Sequence, residues 1–263
     1  MQSDFAPFLE KYRENAGQYM DDWWIATADD VEGRALHTEA IHAFLSRCEE
    51  KSYYLKASKC EIMWSQITLL GWLVTGKGLC IDPSKVTRIS EWPRMLTSVR
   101  QVQKTMGVLG YQRPFIPGFA GIARPIVELT KKAIMFKWTE ERRQALETLI
   151  QKVMMVPVLA YPDLDRPFEM EVDASAYAVG AILFQKDDQG RKHDVGYYSK
   201  ALNPAEQNYD IWDREFLVVI KALGNWQHIL ISTPHKIIVW TDHANLQYYC
   251  QPQKVNSVTL LEA

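Results

Sequence analysis

Phe168-Glu-Met-Glu-Val-Asp-Ala-Ser175 alternates strictly, with Phe168, Met170 and Val172 on one side and Glu169, Glu171 and Asp173 on the other. A period of two is the signature of a strand with one face in a core, so this stretch reads as a strand ending at an acid, Asp173. Downstream, Ala178 to Gln185 and Val195 to Ser199 read as further strands around an Asp187-Asp-Gln-Gly190 turn. Asn203-Pro-Ala-Glu206 is a capping box with proline at the first helical position. Glu215 then opens a long amphipathic segment, in which Phe216, Val219, Ile220, Leu223 and Leu230 form one apolar stripe. A fourth strand, Lys236 to Thr241, runs into a third acid, Asp242. Two strand ends and a helix can carry Asp173, Glu215 and Asp242 to one spot. Carboxylate clusters of this kind hold pairs of divalent metals roughly 4 Å apart and drive in-line phosphodiester cleavage. Asp213 is a nearby competitor of Glu215, whereas Glu206 is better read as the capping acid.

Outward from this region the character of the chain changes. Val156 to Pro167 holds three prolines and little periodicity, and reads as a domain boundary. Before it, helices are expected over Val31–Lys51, from Asp82-Pro83 to before Pro93, from Ser98 to Gly110, and from Thr139 to about Met154. Strand-like pieces are expected at Ser52–Leu55 and at Ile67–Val74, the second broken by Gly71. Tyr19-Met-Asp-Asp22 places adjacent aspartates in a turn, followed by Trp23-Trp24 in a strand. Like charges side by side repel, and such a pair is eased by a bound cation, although a plain surface turn also accounts for it. The tryptophans at 138, 212 and 226 read as core.

The bulk numbers exclude several classes. At 263 residues, with 47% hydrophobic and 24% charged residues, the chain is an ordinary globular protein of one or two domains. No apolar run approaches the roughly 20 residues that span a bilayer, and Met1-Gln-Ser-Asp-Phe-Ala-Pro is no signal peptide. No membrane partner is therefore expected, and an intracellular location, cytoplasmic or nuclear, is. Cys48, Cys60, Cys80 and Cys250 lie too far apart for a disulfide framework or a zinc pair, and His37 and His42 read as helix surface. Net charge is −2, yet Pro83 to Arg113 carries Lys85, Arg88, Arg94, Arg100, Lys104 and Arg113 against Glu91 alone, a local +5. Such a patch can track phosphates, or be a solvated helix face.

Taken in order, the motifs decide between these readings. Tyr19-Met-Asp-Asp22, Ser58-Lys-Cys-Glu61, Leu69-Leu-Gly-Trp-Leu-Val74 and Gly78-Leu-Cys-Ile-Asp-Pro-Ser-Lys-Val86 are followed by Ile89-Ser-Glu-Trp-Pro93 and Gly110-Tyr-Gln-Arg-Pro-Phe-Ile116. Phe136-Lys-Trp-Thr139, Val172-Asp-Ala-Ser175, Tyr197-Tyr-Ser-Lys-Ala-Leu202 and Thr241-Asp-His243 complete the series. From about Tyr19 to Tyr249 the chain resembles the reverse transcriptase–RNase H region of gypsy-type LTR retrotransposon polyproteins.

The resemblance implies an α/β (α+β) architecture in three parts. These are the end of a reverse-transcriptase palm over 1–80, helical thumb and connection over 81–160, and an RNase H-like domain over 161–263. It implies that Asp21 and Asp22 are palm metal ligands, and that Leu70, Gly71 and Trp72 form the primer-grip turn, with Trp72 where histidine is usual. Lys85, Arg88, Arg100, Lys104 and Arg113 then belong to a thumb that contacts a duplex backbone. Asp173, Glu215 and Asp242 match three of four RNase H carboxylates, binding Mg2+ (Mn2+ being the alternative) and cutting the RNA of an RNA–DNA hybrid. The partner implied is that hybrid or a primer–template duplex, in an oligomeric state the sequence does not give. A further palm aspartate is expected upstream of Tyr19, and the fourth RNase H carboxylate downstream of Tyr249, where only Glu262 occurs. The expectation is a segment cut at both ends, with polymerase activity lost and RNase H activity the one chemistry that survives. A non-catalytic nucleic-acid-binding module and an inactive relic are the alternatives.

Overall fold

A computed structural model of the chain describes residues 3–241. It shows a mixture of helices and sheets divided into two compact units, Met1–Gly76 and Lys77–Ala263. In the first unit, helix α1 (Ala6–Lys11) and its flanks bring Phe5, Phe8 and Tyr12 into a core with Ala16 of strand β1 (Ala16–Tyr19). Strand β2 (Asp22–Ile25) pairs with β1 through Ala16↔Ile25 to Tyr19↔Asp22. Gly17 is required in that hairpin, because a Cβ there would lie 2.4 Å from the Trp24 ring. The Phe5 ring sits 4.6 Å from Trp23 and 5.3 Å from Phe44 of helix α2 (Val31–Glu50). Asp30 starts α2 by accepting the Gly33 N–H at 2.7 Å. Its buried face is Gly33, Ala40 and Cys48, and Leu45 is exposed.

Ile67–Val74 is a hairpin, not one broken strand. Strands β3 (Gln66–Leu69) and β4 (Trp72–Thr75) pair through Leu69↔Trp72, and the turn between them is Leu70 at φ 49° and Gly71 at φ 78°. Two consecutive positive φ values match the twist of the flanking strands. Ser52–Leu55, expected as a strand, forms none, since Ser52 itself turns at φ 55°.

The second unit opens with strand β5 (Gly78–Ile81) and four helices, α3 (Pro83–Ser90), α4 (Val99–Tyr111), α5 (Phe119–Val127) and α6 (Glu140–Met154). Their starts are the expected ones. Asp82 accepts the Ser84 N–H at 2.8 Å, Ser98 the Gln101 N–H at 3.3 Å, and Thr139 the Arg142 N–H at 3.5 Å. Ile89, Val102, Leu109, Ile126, Leu146 and Ile150 are buried among them. The proline-rich stretch 156–167 lies within this unit. Leu159 exchanges backbone bonds with Leu79 at 2.8 and 3.0 Å, and the Ala160 N–H donates to the Asp194 carbonyl at 2.8 Å.

The alternating stretch after Phe168 is strand β6 (Glu169–Ala174). With β7 (Ala178–Lys186), β8 (Lys192–Ala201), helices α7 (Ile211–Asn225) and α8 (Gln227–Leu230), and β9 (Ile238–Trp240) it forms the final layer. The sheet order is β8-β7-β6-β9; β9 runs parallel to β6 and the other pairs are antiparallel. Met170, Val172 and Leu183 pack against Val218, Ala222, Trp226 and Leu230, so α7 and α8 cover one face. On the other face the Ala120 N–H at the start of α5 donates to the buried Ser199 Oγ at 2.9 Å. The expected apolar stripe is borne out at Val219, Leu223 and Leu230, which pack in the core, and corrected at two positions. Phe216 and Ile220 are exposed, and the helix buries Glu215, Val218 and Ala222. Small Ala222 allows close approach to the sheet, which turns Phe216 and Ile220 outward. Trp226 is core as expected, whereas Trp212 is exposed.

Candidate metal and nucleic-acid sites

Asp173 is exposed near the C-terminal end of β6, paired across the sheet with Gly180. Because β9 is the parallel neighbour of β6, in the register Glu171↔Trp240, both strands end at the same edge of the sheet. The first turn of α7 lies over that edge. Glu215 is only 2% exposed, and its Oε2 accepts the Thr241 hydroxyl at 2.5 Å. Thr241 immediately follows β9, so this bond ties the helix carboxylate to the end of that strand. Arg214 makes the matching tie to β6, its Nη1 donating to the Ser175 carbonyl, two residues past Asp173, at 3.2 Å. The structure thus sets Glu215 beside the end of β9, with its neighbour Arg214 bound to the chain just past β6. Asp213, its sequence competitor, is exposed. Asp242 lies outside the described residues.

Glu206 is a capping residue, as its spacing requires. It accepts the Asn203 N–H at 2.8 Å and returns its own N–H to Asn203 Oδ1 at 2.9 Å. The Lys221 ammonium 2.6 Å away, helped by the Asn203 N–H, holds its carboxyl below the usual range. Among the described residues no three His, Cys, Asp or Glu side chains form a metal-holding group. Asp173 and Glu215 supply hard oxygen donors of the type that magnesium and manganese take, without sulfur or imidazole, so the donor set fits such ions.

In the first unit, Asp21 and Asp22 are exposed at the β1–β2 turn, where Met20 adopts φ 52°. Gln18 Nε2 steadies that turn by donating to the Met20 carbonyl at 2.8 Å. Leu70, Gly71 and Trp72 form the tip of the β3–β4 hairpin.

The basic stretch of the second unit divides in two. Arg100 and Lys104 stand one turn apart on the exposed side of α4, opposite buried Val102, Thr105 and Leu109. Arg88 is exposed on α3, Lys85 Nζ lies 4.8 Å from the centre of the Tyr111 ring, and the Arg113 guanidinium 5.0 Å from that of Phe119. Arg94 departs from the surface reading. Its Nε meets Glu147 at 2.7 Å, Nη2 donates to the Ser90 carbonyl at 2.8 Å and Nη1 to the Trp92 carbonyl. It fastens α3 to α6, and the phosphate-facing charge is smaller than the sequence count. Sequence reasoning also passes over Thr241 and Arg214. Each adjoins a singled-out acid, and no periodicity marks either.

A family model described as an RNase H-like domain found in reverse transcriptase matches residues 138–239. The Tf2-3 transposon polyprotein of Schizosaccharomyces pombe is 32% identical over 228 residues, which are 87% of this chain and 17% of that polyprotein. The Tf2-7 polyprotein of the same organism is 32% identical with the same coverage. The chain belongs to the reverse transcriptase–RNase H family of retrotransposon polyproteins. It spans about a sixth of the length of those relatives. The foamy viral protease–reverse transcriptase solved with an RNA/DNA hybrid superposes with a TM-score of 0.76 at 20% identity, over 97% of this chain and 34% of that one. The same enzyme solved with double-stranded DNA gives 0.76 at 19%, over 98% and 52%. At this identity the likeness establishes a shared fold. Among the described residues no helix is long and apolar enough to cross a membrane.

Proposed function

We propose that this retrotransposon segment is a metal-dependent RNase H that cuts the RNA strand of RNA–DNA hybrids. The observation that carries the reading is the buried Glu215 carboxylate held by Thr241 at the shared edge where β6 and β9 end. Asp173, Glu215 and Asp242 would hold the metals. Magnesium ions, once bound, would lower the pKa of a water and offset charge on the phosphodiester. Burial and the Thr241 hydroxyl fix Glu215 in one rotamer, and Arg214 holds the strand end that carries Asp173. The hybrid would be bound by Lys85, Arg88, Arg100, Lys104 and Arg113, with the Leu70–Trp72 turn set against a primer strand. The basic α4 face and the duplexes in the foamy viral structures support that partner. Asp21 and Asp22 are proposed as the palm metal pair.

A labelled RNA–DNA hybrid incubated with Mg2+ and with Mn2+ tests the reading. Wild type should cleave and Asp173→Asn should not, at equal folding by circular dichroism. Cleavage unchanged in Asp173→Asn would sink it. A second reading, a duplex-binding module without catalysis, is favoured by the exposed Arg100–Lys104 face. It predicts salt-sensitive binding of the hybrid with no cleavage in either metal.

A further inference from the structure

The turn between β6 and β7 stands at the edge of the sheet where β6 ends, and it is held from several sides. The Ser175 hydroxyl oxygen accepts the Tyr177 N–H at 3.3 Å and the Ala178 N–H at 2.9 Å. The Leu202 N–H donates to the Tyr177 carbonyl at 2.8 Å, and Arg214 of α7 donates to the Ser175 carbonyl. From α5, on the face opposite α7, the Arg124 guanidinium lies on the Tyr177 ring, its central carbon 3.3 Å from the ring centre. At that separation the planar group lies face-on, because an edge-on approach would drive a nitrogen into the ring. Stacking occupies the face of a guanidinium and leaves its N–H donors, which lie in the plane, for other partners.

Nε of Arg124 meets Glu128 at 3.2 Å. Among the described residues neither terminal nitrogen has a hydrogen-bond partner, and both reach the surface, the side chain being 42% exposed. Two parallel N–H donors presented in this way match two oxygens of a phosphate. The ring beneath has already removed rotamer freedom that binding would otherwise cost. The pair with Glu128 is partly exposed and weak, so it leaves the positive charge available. Lys131 and Lys132, both exposed, follow in the chain and favour an anion further. Asp173 is four residues from Tyr177, a span of at most about 14 Å. Phosphates of one strand advance about 3.4 Å each along a duplex axis, so a duplex set against Asp173 brings a phosphate within about four positions to Tyr177 and the guanidinium on it. We infer that the Arg124 guanidinium, seated on Tyr177, binds a backbone phosphate of a duplex whose neighbouring phosphates face the Asp173 carboxylate. The contact rests on the RNase H reading only for the identity of that duplex as an RNA–DNA hybrid.

The test is equilibrium binding of an RNA–DNA hybrid by the whole chain, in chelator, between 50 and 200 mM salt. Arg124→Gln should weaken binding and lower the slope of log affinity against log salt by about 0.9, one phosphate contact. Arg124→Lys should keep the slope, since the charge remains, and bind about three- to tenfold more weakly than wild type, since an ammonium offers no fork. Tyr177→Phe, which keeps the ring, should match wild type, and Tyr177→Ala should bind more weakly. Glu128→Gln should bind more tightly, because it removes a negative charge beside the phosphate. A merely structural stack would lower the melting temperature of Arg124→Gln and Tyr177→Ala and leave affinity and slope at wild-type values, which overturns the inference. So does the absence of hybrid binding at 50 mM salt, or Glu128→Gln binding no tighter than wild type, a variant that leaves the stack in place. A lower slope in Arg124→Gln without cleavage by wild type in Mg2+ removes the RNase H reading and keeps the phosphate contact. Cleavage by wild type with an unchanged slope in Arg124→Gln does the reverse.

Discussion

Glu215→Gln separates a metal ligand from a structural acid. The carboxylate is 2% exposed and accepts the Thr241 hydroxyl at 2.5 Å. Glutamine keeps the volume and an acceptor for that hydroxyl while removing a buried charge, and a neutral amide costs less to bury than a carboxylate. In chelator the variant should match wild type or gain up to about 1–2 kcal/mol, which for a unit of this size raises the melting temperature by about 2–8 °C. Magnesium should invert the order. An ion that binds only the folded state adds about 1.4 kcal/mol at ten times its dissociation constant, and wild type should gain this while the variant gains little. Hybrid cleavage should fall at least about 100-fold, beyond what the loss of an outer hydrogen bond to a metal ligand costs. Urea or thermal unfolding with and without Mg2+ reads the first two effects, independently of activity. Destabilisation beyond about 2 kcal/mol in chelator, with the magnesium shift intact, would refute the argument and make Glu215 a structural partner of Thr241.

Three other outcomes follow from the same structure. Arg100→Ala should weaken hybrid binding and reduce the slope of log affinity against log salt by about 0.9. Arg94→Ala should leave that slope unchanged and destabilise the protein by about 1–2 kcal/mol, because its hydrogen bonds go to Glu147 and two backbone carbonyls; titrations between 50 and 200 mM salt and urea melts distinguish the two. Glu206→Gln should cost about 1 kcal/mol at pH 7. Lys221 and the Asn203 N–H lower the folded pKa of Glu206, so its contribution exists above the unfolded value of about 4.3 and fades as pH falls through the folded one; wild type and variant should therefore converge in melts as the pH is lowered through that range. Gly71→Ala should destabilise the β3–β4 hairpin by about 1–2 kcal/mol, because φ 78° suits no Cβ, and should show as faster amide exchange over Gln66–Thr75.

The sequence by itself determined the elements and their boundaries wherever the cause is local. Asp82, Ser98 and Thr139 start helices because their side chains reach N–H groups two or three residues on. Phe168 to Asp173 reads as a strand because period two survives any tertiary context, and the motif order identifies the family. The Leu70–Gly71 turn was less legible, since leucine seldom takes φ 49° and the hairpin register supplies the constraint. Only the tertiary structure decided the rest. Helical periodicity in α7 fits either an outward Phe216 or an inward Val218, and the choice depends on the sheet face that α7 meets. Charge counting cannot tell Arg94 from Arg100, because Glu147 lies 53 residues away. Glu215 outranks Asp213 as a buried acid only through Thr241, 26 residues further on. Contacts over such separations arise from chain reversal and packing, which no local window of residue types encodes.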